Sequence, residues 1–145
     1  MNLEWLDVNN AEQIFELYNG DFSDGWSQKM LCDAFKTNRF LVLGILDKQE
    51  LVGVISCSLT LFDADIESVY VKKEFRKQGL ASKLISKLEE ELVNKNIEKI
   101  FLEVRKTNFS AQNLYIKHGF SKISERKEYY SDLEDAVIMA KELKK

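Results

Sequence analysis

The stretch EFRKQGLASKL, residues 74–84, places Arg76 and Lys77 just before the small residues Gly79 and Ala81, at the start of a helix-like segment. Successive N–H groups at a helix N-terminus, together with the positive end of the helix dipole, favour a bound anion. Small residues let the backbone approach a ligand closely, and the two cations add charge that reaches phosphate oxygens. The same residues also suit an ordinary strand-to-helix turn with solvated basic side chains. The spacing leaves both readings open.

A second candidate lies in KIFLEVR, residues 99–105. Strand alternation sends Ile100, Leu102 and Val104 to one face, and Phe101, Glu103 and Arg105 to the other. A carboxylate in the middle of such a strand is paired with a neighbouring Lys or Arg, solvated in a cleft, or at work. Tyr115 shares a helix face with Ala111, Leu114 and His118. An isolated tyrosine there is ordinarily a core aromatic whose hydroxyl meets some acceptor. His118, the only histidine, stands in a last helical turn, where a cation suits the dipole. Cys32 and Cys57 are too few and too scattered for a disulfide framework or a zinc site, and read as reduced core thiols.

These side chains need a frame. LEWLDV (3–8) alternates as a short strand, and Asn10 opens a helix with Gln13 as capping-box partner and Ile14, Leu17 and Tyr18 as its apolar stripe. GDFSDG (20–25) is a loop, and Ser27 caps a second helix carrying Met30, Leu31, Ala34 and Phe35. RFLVLGIL, LVGVISCSLTLF and ADIESVYV are β-branched or aromatic runs that predict antiparallel strands. Gly79 to Asn96 is a long helix with Leu80, Leu84, Ile85, Leu88 and Leu92 inward. KIFLEVR is a strand, and Asn108 caps a helix that ends at His118–Gly119 with the glycine in the C′ position. FSKISERKEYY and AVIMAKEL form a final antiparallel pair around YSDLED. The fold class is α+β: a mixed, mostly antiparallel sheet of about seven strands with helices covering it. The strands on either side of the long helix run parallel, as a crossover requires.

SVYVKKEFRKQGLASKLI resembles the acetyl-CoA-binding segment of the GNAT acyltransferases, whose pattern Arg/Gln-x-x-Gly-x-Gly/Ala is met by Arg76, Gly79 and Ala81. The likeness runs from about Trp26 to Leu143; Lys73 stands where proline is frequent, and Ala81 where glycine is commoner. LEVRKTNFSAQNLYIKHGF (102–120), the tail RKEYYSDLEDAVIMAKEL and the early Trp26–Ser27 resemble the RimI-type ribosomal-protein-alanine N-acetyltransferases. The resemblance implies one GNAT domain over residues 1–145, with four helices on both faces of the sheet, acetyl-CoA as co-substrate and no metal. Arg76, Lys77, Gln78, Gly79, Leu80, Ala81 and Ser82 would then surround the pyrophosphate. Val69, Tyr70 and Val71 would offer backbone groups to the pantetheine arm, and Asn108 would contact coenzyme A besides capping its helix. By the same resemblance Glu103 is the general base, acting through water, and Tyr115 the general acid beside the thioester sulfur. The Val71 N–H is the implied oxyanion donor. A phenol near ~10 and a thiol near ~8.5 ask for only modest tuning.

The bulk properties bound the partners. The chain has 145 residues, 45% hydrophobic and 31% charged, with no proline and a formal net charge of −3. That balance suits a globular domain and argues against a general nucleic-acid binder. MNLEWLDVNN has no apolar signal-peptide core, and no apolar run approaches the ~20 residues that span a bilayer. A cytoplasmic location with no membrane contact is therefore expected. The acceptor implied is the α-amine of an N-terminal alanine on a basic small-subunit ribosomal protein. Asp21, Asp24, Asp132, Glu134 and Asp135 are candidate attractors for it, and Tyr129 and Tyr130 a candidate wall. Two other functions stay open: a GNAT enzyme for a small amine such as a polyamine, an antibiotic or an amino acid, and a coenzyme A-binding sensor without turnover.

Overall fold

The computed structural model describes residues 1–19 and 27–143. The expected loop at 20–25, with Asp21 and Asp24, and Trp26 lie outside the described residues. Strands β1 (Asn2–Leu6), β2 (Phe40–Asp47), β3 (Glu50–Leu59), β4 (Asp63–Val71), β5 (Lys99–Arg105), β6 (Ser121–Arg126) and β7 (Ala136–Glu142) form one sheet in the order β1-β2-β3-β4-β5-β7-β6. Every neighbouring pair is antiparallel except β4 and β5, which flank helix α3 (Leu80–Asn94) and run parallel. The remaining helices are α1 (Ala11–Asn19), α2 (Gln28–Phe35) and α4 (Phe109–Lys117).

The helices cover both faces because each strand alternates its apolar side chains. On one face Leu84, Ile85, Leu88 and Leu92 of α3, with Tyr115 of α4, pack on Leu43, Ile55, Ile100 and Leu102. On the other, Ile14, Leu17 and Tyr18 of α1 and Leu31 of α2 pack on Val42, Val54 and Tyr70. Ser27 caps α2 by accepting the Met30 N–H at 3.1 Å, and Gly119 follows α4 with φ +92°, both as expected.

Three local expectations need correction. The first helical cap is Asp7, not Asn10: Asp7 accepts from the Asn9 N–H, and Asn10 reaches back to the Asp7 N–H at 3.0 Å. The capping box therefore sits one 3-10 turn earlier, and Gln13 only receives the Asn10 side-chain amide. Gly79 is the N-cap of α3 in the left-handed region at φ +77°, not its first helical residue. The strand expected through Tyr130 ends at Arg126, and 127–135 form a turn stitched by Tyr129 and Tyr130 N–H bonds to the Glu134 carbonyl.

One irregularity shapes everything that follows. Ser56 of β3 faces Ser68 of β4, but Cys57 faces Ile66, so Glu67 is an extra residue in β4. Such a bulge bends and twists its strand. The β4–β5 ladder accordingly stops at Ile66 and Leu102, although β4 continues to Val71 and β5 to Arg105. The two strands part, and a gap opens in the middle of the sheet.

Candidate active site

The gap is the floor of a cleft of about 760 Å³. Asp65, Glu67, Ser68 and Val69 line it from β4, and Phe101, Glu103 and Arg105 from β5. Asn108, Ala111 and Tyr115 close it from α4, and Arg126, Tyr129 and Tyr130 from the β6–β7 end. Glu103 and Tyr115 thus meet at one cavity from opposite faces of the sheet, which a continuous ladder would keep apart.

Glu103 is exposed on a strand whose alternate residues Leu102 and Val104 are buried, as the alternation expects. Arg126 Nη1 stands 4.0 Å from Glu103 Oε1. Hydrogen bonding to the Glu103 carboxylate is also the main reason the Tyr129 phenol is raised above its ordinary range. On β4, burial, and then the charges of Glu103 and Asp63, push Asp65 upward. Tyr115 is 8% exposed, and burial, with a smaller effect from Tyr130, pushes its phenol up to about 12. That shift is larger than the modest tuning expected. It keeps the proton on Tyr115 at neutral pH and makes it a more reluctant donor than free phenol.

The anion turn is built from backbone. Lys77 (φ +64°) and Gly79 (φ +77°) are both left-handed, and the helix begins directly after them at Leu80. Gly79 has no capping side chain, its carbonyl accepts the Lys83 N–H, and the first turn of α3 carries no acid. The Leu80, Ala81 and Ser82 amides precede that first intrahelical bond and point outward as helix-terminal donors. Nothing lies within 4 Å of where a Gly79 Cβ would stand. The arrangement fits a phosphate in position, charge and space. Arg76 does not simply reach outward: its Nε donates to the Val71 carbonyl at 2.7 Å, and its guanidinium lies 5.5 Å from the Tyr70 ring. It therefore ties the turn to the end of β4. Ser82 Oγ lies 3.0 Å from His118 Nε2, which joins the starts and ends of α3 and α4. Asn108 caps α4, accepting the Ala111 N–H at 3.1 Å.

The chain matches the acetyltransferase (GNAT) family over residues 11–120. It belongs to that family. A [ribosomal protein bS18]-alanine N-acetyltransferase of Haemophilus ducreyi is 30% identical over 142 residues, covering 95% of this chain and 97% of the relative. Its counterpart in Haemophilus influenzae is 32% identical, over 93% and 94% of the two chains. The crystal structure of the ribosomal-protein-S18-alanine N-acetyltransferase from Escherichia coli superposes with a TM-score of 0.88 at 25% identity, covering 99% of this chain and 94% of that one.

For this GNAT protein, three of the acids proposed as acceptor attractors are engaged elsewhere. Asp132 accepts Arg105 Nη1 at 3.0 and 2.8 Å. Glu134 accepts the Thr107 hydroxyl at 2.6 Å and its N–H at 3.1 Å, and Asp135 accepts Lys127 and the Glu128 N–H. All three carboxyls are held below their ordinary range: Asp132 chiefly by the Glu134 N–H, Glu134 by Thr107 and Asp135 by the Glu128 N–H. The acids facing the cleft are instead Asp65, Glu67 and Glu103. The first two were visible as the polar positions of ADIESVYV, but their shared face with Glu103 depends on the β4–β5 register. Also unforeseen is a buried hydroxyl chain, in which Ser68 Oγ bonds both Tyr18 and, at 2.6 Å, Ser56. It fastens the bulged segment of β4 to α1.

Among the described residues no group of three or more His, Cys, Asp or Glu side chains is arranged to hold a metal, and no helix is long and apolar enough to cross a membrane.

Proposed function

We propose that this acetyltransferase moves an acetyl group from acetyl-CoA to the α-amine of an N-terminal alanine on a small-subunit ribosomal protein. The observation that carries the chemistry is the meeting of Glu103 and Tyr115 at the gap between β4 and β5. The naming of the Haemophilus relatives supports the acceptor.

In this reading the turn from Arg76 to Ser82 receives the pyrophosphate, and Val69, Tyr70 and Val71 flank the pantetheine arm. Asn108, already spent on its cap, borders the same arm. Glu103 takes a proton, through water, from the incoming ammonium. The free amine attacks the thioester carbonyl carbon, and an N–C bond forms as the carbonyl π pair moves to oxygen, next to the Val71 N–H. When that pair returns, the C–S bond breaks, the thiolate takes the Tyr115 proton, and the second proton of the newly acylated nitrogen leaves through water, which returns a proton to the tyrosine. The burial that keeps the proton on Tyr115 also disfavours a bare thiolate in the same cleft, which draws the proton toward the departing sulfur. We take residues 1–145 as one domain acting in the cytoplasm on a basic protein N-terminus, with no nucleic acid or membrane partner.

A second reading is favoured by Asp65, Glu67 and Glu103 sharing one cleft: a small polycationic amine suits three acids as well as a basic peptide does. Thiol release from acetyl-CoA separates the two. A short alanine-led, arginine-rich peptide is expected to turn over, and the same peptide with a blocked N-terminus is not. Turnover only with polyamines would replace the acceptor and keep the chemistry. Absence of thiol release with every amine tested would leave a coenzyme A-binding sensor.

A further inference from the structure

Arg105 lies two residues beyond Glu103 on the same face of β5 and lines the same cleft, with its guanidinium against the β6–β7 turn. There it makes a fork on Asp132, at 3.0 and 2.8 Å, and reaches Glu134 at 3.4 Å. Its guanidinium carbon lies 4.1 Å from the centre of the Tyr130 ring. The adjacent Tyr129 packs edge-on against Tyr130 with centroids 5.1 Å apart, and Arg126 lies 5.3 Å from the Tyr129 ring. Thr107 fastens the other side of the turn through Glu134. Planar guanidinium groups suit this double task, because they bind a carboxylate along the edge and an aromatic ring on the face.

The two tyrosines are not decoration on the turn. Both line the cleft together with Glu103 and Tyr115, and Arg126, which lies over the Tyr129 ring, stands 4.0 Å from Glu103 Oε1. Arg105 therefore anchors a segment that walls the cleft containing both groups.

We propose that Arg105 is a positioning residue: by clamping the β6–β7 turn it holds Tyr129 and Tyr130 in the wall of the cleft that Glu103 and Tyr115 share. The inference rests on the base and acid assignments above. It places the clamp on the acceptor side of the reaction, since Asp132, Glu134 and Tyr130 all belong to the β6–β7 turn.

The test compares Arg105→Gln, Arg105→Lys, Asp132→Asn, Tyr129→Phe and Glu103→Gln in thiol release with the alanine-led peptide. Hydrogen exchange of the Tyr129 and Tyr130 amides is read in parallel. Loss of a bidentate charged contact is expected to speed that exchange and to lower kcat/KM for the peptide, each roughly tenfold, in Arg105→Gln and Asp132→Asn. Acetyl-CoA affinity should stay within about twofold, a split that general loosening of the fold would not give. Arg105→Lys restores part of the loss. Combining Arg105→Gln with Tyr129→Phe should cost no more than the worse single change, as for residues acting in one chain. Multiplying losses, or unchanged exchange and kinetics in both clamp variants, would overturn the inference. An inactive Glu103→Gln beside fully active clamp variants would overturn it alone. A fully active Glu103→Gln would remove the base assignment and this inference with it.

Discussion

The anion turn and the acceptor side of the cleft are built in different ways. The turn is local: Lys77, Gly79 and the first amides of α3 make it from backbone, within a few consecutive residues. The acceptor side is assembled from β4, β5, α4 and the β6–β7 turn, and its order comes from side chains meeting across long stretches of chain, such as Arg105 with Asp132. A backbone site recognises what is common to every reaction of a cofactor. A side-chain site can be re-cut for a new acceptor without disturbing it.

The comparison can be broken from either end. Glu103→Gln is expected to have the largest effect, lowering kcat roughly 10²–10³-fold with acetyl-CoA affinity unchanged. If affinity falls in step, the two regions are not separable. Gly79→Trp should do the reverse. No protein atom stands near the new Cβ, so the damage comes from the left-handed backbone and from a side chain over the anion position. Acetyl-CoA affinity measured by calorimetry should drop about tenfold or more, equivalent to ~1.4 kcal/mol, while any remaining turnover keeps its peptide KM. An unaltered affinity would move the cofactor elsewhere. Ser68→Ala is the smallest and falls on neither region alone. It strips a partner from Tyr18 and Ser56 in a buried site and should cost about 1–3 kcal/mol in chemical denaturation. A neutral result would mean that the hydroxyl chain does not fasten the bulged strand.

What was legible in the chain follows the same division. The Ser27 and Asn108 caps, the exposed Glu103 between buried neighbours and the parallel crossover all follow from sequence pattern, and the structure bears them out. Asp7 and Asn10 are both good caps three residues apart, and the local pattern offers no means to prefer the earlier one; the extra 3-10 turn decides it. The Glu67 bulge leaves no trace in the strand-like run ADIESVYV, because an added residue changes pairing and not composition. The clamp was hidden for a related reason. Asp132 and Glu134 look like solvated acids until Arg105, far back in sequence, is brought beside them.

The extra residue Glu67 couples ligand binding to the stability of the fold. One surplus residue divides the sheet into two half-sheets, β1 to β4 and β5 to β6, joined along a ladder that runs only from Asp63 to Ile66. A molecule lodged in the opening touches both halves, and the unfolded chain offers it nothing comparable. Its binding free energy is then added directly to the resistance of the fold to unfolding, by about 2.7 kcal/mol at a ligand concentration one hundred times Kd. The division that admits the substrates also makes them part of the scaffold for as long as they stay.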